Sequence, residues 1–378
     1  VTDTEQPAQA VIDWGVAERV AAWTAARTKA PVSYQAASMQ ADFDELTARA
    51  EGLVAESTGL KLSAGPTRGR VIDRAGWVHA NVVSFQRLLG PTLSKLAERK
   101  NPSMLAALPS WVENGVAGVG RSMSGAQFGL VLGWMSTRVL GQYDLLLADA
   151  DPALADPDQD VIYFVGPNVE ALEQRFGFPP KEFRLWLALH EVTHRFQFTA
   201  VPWLGRYFHS LVDQGLEPLG ADPRRMLDAV RRAADEVRAG RSPLQDAGML
   251  GLVATPEQLE AIGRIQALMS LLEGHGDVTM DRAGAEAVPG AARFSAVLHA
   301  RRQETRGPAR LLQQLLGIEA KLRQYADGEK FVRSVEDAGG VRLFSRVWQG
   351  PEWLPSMAEI RDPSQWVTRV GGTAAIAG

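Results

Sequence analysis

Leu187–Phe198 reads LALHEVTHRFQF, an apolar run with the composition of a buried helix that nevertheless places two histidines, a glutamate and a threonine within five residues. Burying such groups costs free energy unless each is hydrogen-bonded or otherwise engaged. The run is preceded by FGFPP (Phe176–Pro180), whose prolines suit a first helical turn, where the missing N–H would have no partner anyway. The stretch therefore predicts a core helix that carries chemistry.

His190, Glu191 and His194 form H-E-x-x-H. Positions four apart on a helix differ by roughly 40° around the axis and about 6 Å along it, so both imidazoles can face one ion. Neutral imidazole suits Zn²⁺, and a catalytic zinc takes three protein ligands and leaves a fourth position open. Glu191 is turned slightly away, where a carboxylate can act as general base and acid on a water. The chain has no cysteine, so any metal must be held by His, Asp or Glu. For the third ligand, the metzincin continuation is excluded, because Gln197 and Ala200 stand where Gly and His are needed. LLEGHGD (Leu271–Asp277) offers Glu273, with His275 as the alternative. Asp277, four residues after Glu273, is placed to accept the free N–H of a ligating imidazole. His275, on another side of an ideal helix, is otherwise expected near the substrate.

Around this motif the chain reads as mainly α with a small antiparallel sheet. Ala, Leu, Arg, Glu and Gln dominate, with apolar residues recurring at three and four. Residues 1–120 form a helical N-terminal region, 121–340 a catalytic core with a charged helical insertion at about 215–255, and 341–378 a C-terminal segment and tail. QYDLLL (Gln142–Leu147) and DVIYFVGPNV (Asp160–Val169) are rich in β-formers, flank an Asp- and Pro-rich turn, and predict two antiparallel strands. Asn168 ends the second, expected to be an edge strand that pairs with a substrate backbone.

The 378 residues are 46% apolar and 22% charged with a formal net charge of -4, an ordinary globular balance. No basic block marks a nucleic-acid or anionic-membrane surface. The opening VTDTEQPAQA has no charged-then-apolar signal, and FGLVLGWM (Phe128–Met135) is too short to span a bilayer. Together with the missing cysteines this sets a cytoplasmic expectation.

HEVTHRFQF, the upstream DVIYFVGPNV, LLEGHGD and KLRQYADGEKFV (Lys321–Val332) resemble a family of zincin-like metallopeptidases associated by gene occurrence with biosynthesis of a deazaflavin coenzyme. The resemblance runs from DWGVA (Asp13–Ala17) to about Trp366. It implies a zincin core and a zinc peptidase, with a peptide or protein as substrate. Tyr325 is a candidate to donate its phenol to an oxyanion, as Tyr or His does in other zincins with a Glu ligand. The expectation is one zinc held by His190, His194 and Glu273, with Glu191 as the base. The alternative is a catalytically silent binding or regulatory protein stabilised by the metal.

Overall fold

The computed structural model describes residues 12–29, 31, 34–62, 65–98, 110–143, 160–216, 255–303 and 318–374. Most of the expected 215–255 insertion, and the second half of QYDLLL, lie outside them. The chain divides into two compact units, residues 1–45 with 68–180, and residues 46–67 with 181–378.

The first unit contains α1 (Trp14–Ala26), the start of α2 (Ala36–Thr58), β1 (Arg68–Ile72), α3 (Arg74–Glu98), α4 (Ser110–Ser136), β2 (Gly141–Tyr143), β3 (Val161–Val165) and α5 (Gly166–Phe176). Asp13 caps α1 by accepting the amide N–H of Val16 at 2.9 Å. Gly125, Gly129 and Gly133 of α4 lie against the backbone carbonyls of Asp13, Ala17 and Ala21, so a Cβ at any of the three would strike main chain. Ala17, Ala21 and Ala25 repeat at the same interval on α1 and are buried, and small residues on both helices permit this close approach. Beside them Trp77, Val78, Val82, Leu132 and Val165 form the unit's core.

The sheet has the order β1-β3-β2, with β1 parallel and β2 antiparallel to β3. The antiparallel pair was expected; the parallel third strand was not, and the sheet is mixed. All five residues of β3, VIYFV, are buried, as the middle strand of a covered sheet requires. The expectation of an edge strand is therefore corrected. Gln40 serves the outer edge of β1, donating to the carbonyl of Gly69 (2.8 Å) and accepting from the N–H of Val71 (2.7 Å). β3 runs straight into α5, so Gly166-Pro167-Asn168 is a first helical turn and not a closing loop.

The second unit holds α6 (Pro180–Thr199), α7 (Leu204–Leu216), α8 (Pro256–Gly284), α9 (Ala291–Gln303), α10 (Ile318–Phe344), two 3₁₀ turns, α11 (Met357–Arg361) and α12 (Pro363–Ala374). Its core joins Ala267, Leu271 and Val278 of α8 to Phe331, Val332 and Val335 of α10, and to Val347, Ile360, Trp366 and Val370 beyond. Thr255 and Gln258 cap α8 reciprocally, as Ser356 and Glu359 cap α11. α10 breaks at Gly339-Gly340, where Gly340 takes φ 71°, a conformation that favours glycine.

α6 is buried along almost its whole length. Even Arg195, beside the second histidine, is fully enclosed. Its guanidinium donates to Thr67 Oγ1 (2.8 Å) and the carbonyl of Gly65 (2.6 Å), with Glu51 at 3.8 Å. The 46–67 segment is thereby fastened to the helix that carries the motif.

Candidate metal centre

His190 and His194 project from one face of α6, one turn apart, with their rings edge to face at 4.5 Å. Their Nε2 atoms point at each other across 3.1 Å. Glu273, from the middle of α8, brings Oε2 to 3.7 Å from His190 Nε2 and 3.8 Å from His194 Nε2. A triangle with those edges has a point roughly 2.1 Å from all three corners, the length of a zinc–nitrogen or zinc–oxygen bond. The donor set also fits: two imidazoles and one carboxylate, without thiolate, are ligands that zinc accepts. Among the described residues this is the group of His, Asp and Glu side chains that could hold a metal ion.

The site is not sealed. The side chains of His190, His194 and Glu273 are 18, 14 and 16% exposed. Gly276 of α8 passes beside both rings, where a Cβ would lie 3.6 Å from His194 and 3.7 Å from His190. α8 thus supplies Glu273 from one turn and bare backbone from the next.

Burial works against a charge on His194. The carboxylates of Glu273 and Glu191, the bond to Gln197 and the charge of Asp277 outweigh it and hold its pKa above the ordinary histidine value. Glu191 is itself buried, 7% exposed. The local field is negative, as a cation site requires.

Gln197 was noted in the sequence only as the residue that breaks the metzincin pattern, and the structure gives it a place of its own. Its Oε1 lies 3.0 Å from His194 Nδ1, and its Nε2 lies 2.9 Å from both the carbonyl of Leu272 and Nδ1 of His275. A polar side chain three residues beyond a ligating histidine shares its helix face, which is the signal that could have found it.

His275, considered as a ligand and as a substrate contact, is 6% exposed, stacked on Phe344 and edge-on to Trp348. It stands behind His194, across Gln197. Burial, with His194 and Arg282, pushes its pKa down to about 3, so it is neutral at ordinary pH. Asp277 acts on His194 through its charge, while the Nδ1 of that ring meets Gln197. The side chain of Tyr325 lies outside the described residues.

Asn168 is the residue expected to meet substrate. It sits in the first unit, 3% exposed, accepting from Arg74 Nε at 2.7 Å and donating to the carbonyls of Ser136 (2.8 Å) and Val139 (2.7 Å). Its amide closes the C-terminal end of α4.

The profile of the zincin-like metallopeptidases matches residues 12–367. A crystal structure from Chloroflexus aurantiacus, of a candidate hydrolase with a novel fold, superposes with a TM-score of 0.67 at 32% identity, over 95% of this chain and 99% of that one. No protein of curated function matches the chain. No helix among the described residues is long and apolar enough to cross a membrane.

Proposed function

Because the chain belongs to the zincin-like metallopeptidase family, we propose that it hydrolyses peptide bonds at a single zinc site formed by His190, His194 and Glu273. The observation that supports this is the convergence of the three ligand atoms on one point from two helices, in a cluster still open to solvent. A zinc ion there, when bound, would lower the pKa of water and polarise a substrate carbonyl.

The chain's own groups divide the remaining work. Nε2 of each imidazole and Oε2 of Glu273 would hold the cation. Glu191, next to His190 in the chain and buried beside His194, supplies a carboxylate oxygen that takes a proton from the attacking water. As the water oxygen bonds to the carbonyl carbon and the C–N bond breaks, the same carboxyl returns the proton to the leaving nitrogen. Asp277 adds to the negative field that favours a cation. Tyr325 is the candidate donor to the carbonyl oxygen as negative charge develops there.

The test is Glu191→Gln, which keeps size and shape and removes the base. At matched zinc content it should reduce cleavage of a diverse peptide library, read by mass spectrometry, by roughly 10²–10⁴. Equal cleavage by both proteins would refute the role of Glu191. A wild type that holds zinc and cuts no peptide in the library would favour a zinc-stabilised binding protein instead.

A further inference from the structure

We propose that Gln197 is a positioning residue: it fixes the tautomer of His194, taking its own orientation from the backbone carbonyl of Leu272 and the ring of His275. The inference rests on the zinc reading above, and the argument is one of donors and acceptors.

A backbone carbonyl only accepts hydrogen bonds. Leu272 O, 2.9 Å from the amide nitrogen of Gln197, therefore requires the –NH₂ end of that side chain. The reverse orientation would bring two acceptor oxygens together in a place without solvent, since Gln197 is fully buried. The second amide hydrogen faces His275 Nδ1 at 2.9 Å, so His275 accepts at Nδ1 and carries its proton on Nε2. Both donors of Gln197 are then used. Its oxygen is left facing His194 Nδ1 at 3.0 Å, which must be an N–H. The lone pair of His194 consequently lies on Nε2, the atom that faces His190 and Glu273.

The device connects the two helices of the site. Gln197 follows His194 by three residues on α6, while Leu272 and His275 flank Glu273 on α8. The carbonyl that orients the amide therefore belongs to the residue immediately before the third ligand. An amide also orients the ring without adding another negative charge to Glu191, Glu273 and Asp277, which already act on His194 or lie beside it. A partner that holds the outer nitrogen of a ligating histidine is commonly worth 10–100-fold in metal affinity.

The experiment has two arms. In the metal-free protein at mildly alkaline pH, ¹⁵N NMR of labelled histidine should show His194 protonated on Nδ1 and His275 on Nε2, and Gln197→Met should remove the Nδ1–H preference of His194. Finding His194 as the Nε2–H tautomer in the wild type, or unchanged in Gln197→Met, overturns the proposal. In chelator competition, Gln197→Met should weaken zinc binding by about 10–100-fold. Gln197→Glu still turns an oxygen toward His194 but sets its second oxygen against the carbonyl of Leu272, so it should bind zinc more tightly than Gln197→Met while melting at a lower temperature than the wild type. Equal losses in the two variants would mean a packing role only, and would also overturn it. A wild type that takes up no zinc would refute the site itself, whereas the tautomer measurement needs no metal and stands apart.

Discussion

Gly274 and Gly328 meet backbone to backbone. A Cβ on Gly274 would overlap the carbonyl carbon of Gly328 and the nitrogen of Glu329, and a Cβ on Gly328 would overlap the carbonyl oxygen of Ser270. α8 and α10 touch without intervening side chains at the residue next to Glu273, so the position of the proposed third ligand depends on a contact that does not involve its carboxylate.

Adding one methyl should reveal that dependence. Gly274→Ala is expected to destabilise the protein by about 1–3 kcal/mol through overpacking, and to weaken zinc binding because Glu273 moves with the helix. Gly263→Ala on the same helix is the control: a Cβ there meets nothing within 4 Å, and the change should be neutral or stabilise by roughly 0.5–1 kcal/mol. Denaturant unfolding and chelator competition on both variants check the pair.

If zinc is held by α6 and α8 as proposed, its removal should lower the melting temperature, because a ligand bound only to the folded state stabilises it by mass action. His190→Ala and Glu273→Ala should melt at the same temperature with and without chelator. A chelator-dependent shift that persisted in both variants would place the stabilising metal elsewhere.

Arg195 offers a test of how α6 is anchored. Its guanidinium is fully buried and bonded to Thr67 and Gly65, so Arg195→Ala should cost about 3–5 kcal/mol, in the range for breaking a buried charged network. Thr67→Val removes only the hydroxyl and should cost about 1 kcal/mol. Urea titration resolves a difference of that size.

Glu359 predicts a pH dependence. Burial opposes its charge, but hydrogen bonds from Arg369 and Ser356 outweigh that cost and hold its pKa below the ordinary carboxylate value. Arg369 meets it at 2.6 Å and also donates to the carbonyls of Glu352 and Leu354. A lowered folded-state pKa means that the contribution is complete above the unfolded pKa and is lost as pH falls through the folded one. Glu359→Gln should lower stability by about 1 kcal/mol at neutral pH, Arg369 being partly exposed. It should also flatten the acid limb of the stability curve, which thermal melts across that range would show.

The parts of the molecule legible in the sequence were those whose signal is local. The spacing of His190 and His194 needs only the helical repeat, and the prolines before Lys181 announce where α6 begins. Glu273 stood out because it closes an apolar run. β3 was readable from five consecutive β-formers, but its central place was not, since that depends on β1. RGRVI carries two arginines and a glycine, and is a strand because β3 and Gln40 pair with it. The role of Gln197 likewise depends on residues more than seventy positions away. The partners of Asn168 are hidden for a related reason: a turn-forming residue after a strand says nothing of Arg74, which claims its oxygen.

The glycine face of α4 leaves one ambiguity for the folding chain to resolve. Gly125, Gly129 and Gly133 meet Asp13, Ala17 and Ala21 in the same order, so the two helices run in one direction with a repeating fit at every fourth residue. Sliding α4 by one repeat would present nearly the same surface, about 6 Å out of step. The smooth interface therefore acts as a ruler without a zero mark. Trp14 supplies the mark: it stands edge-on to Phe128 with ring centroids 5.3 Å apart, and a slipped pairing would separate these two aromatic rings.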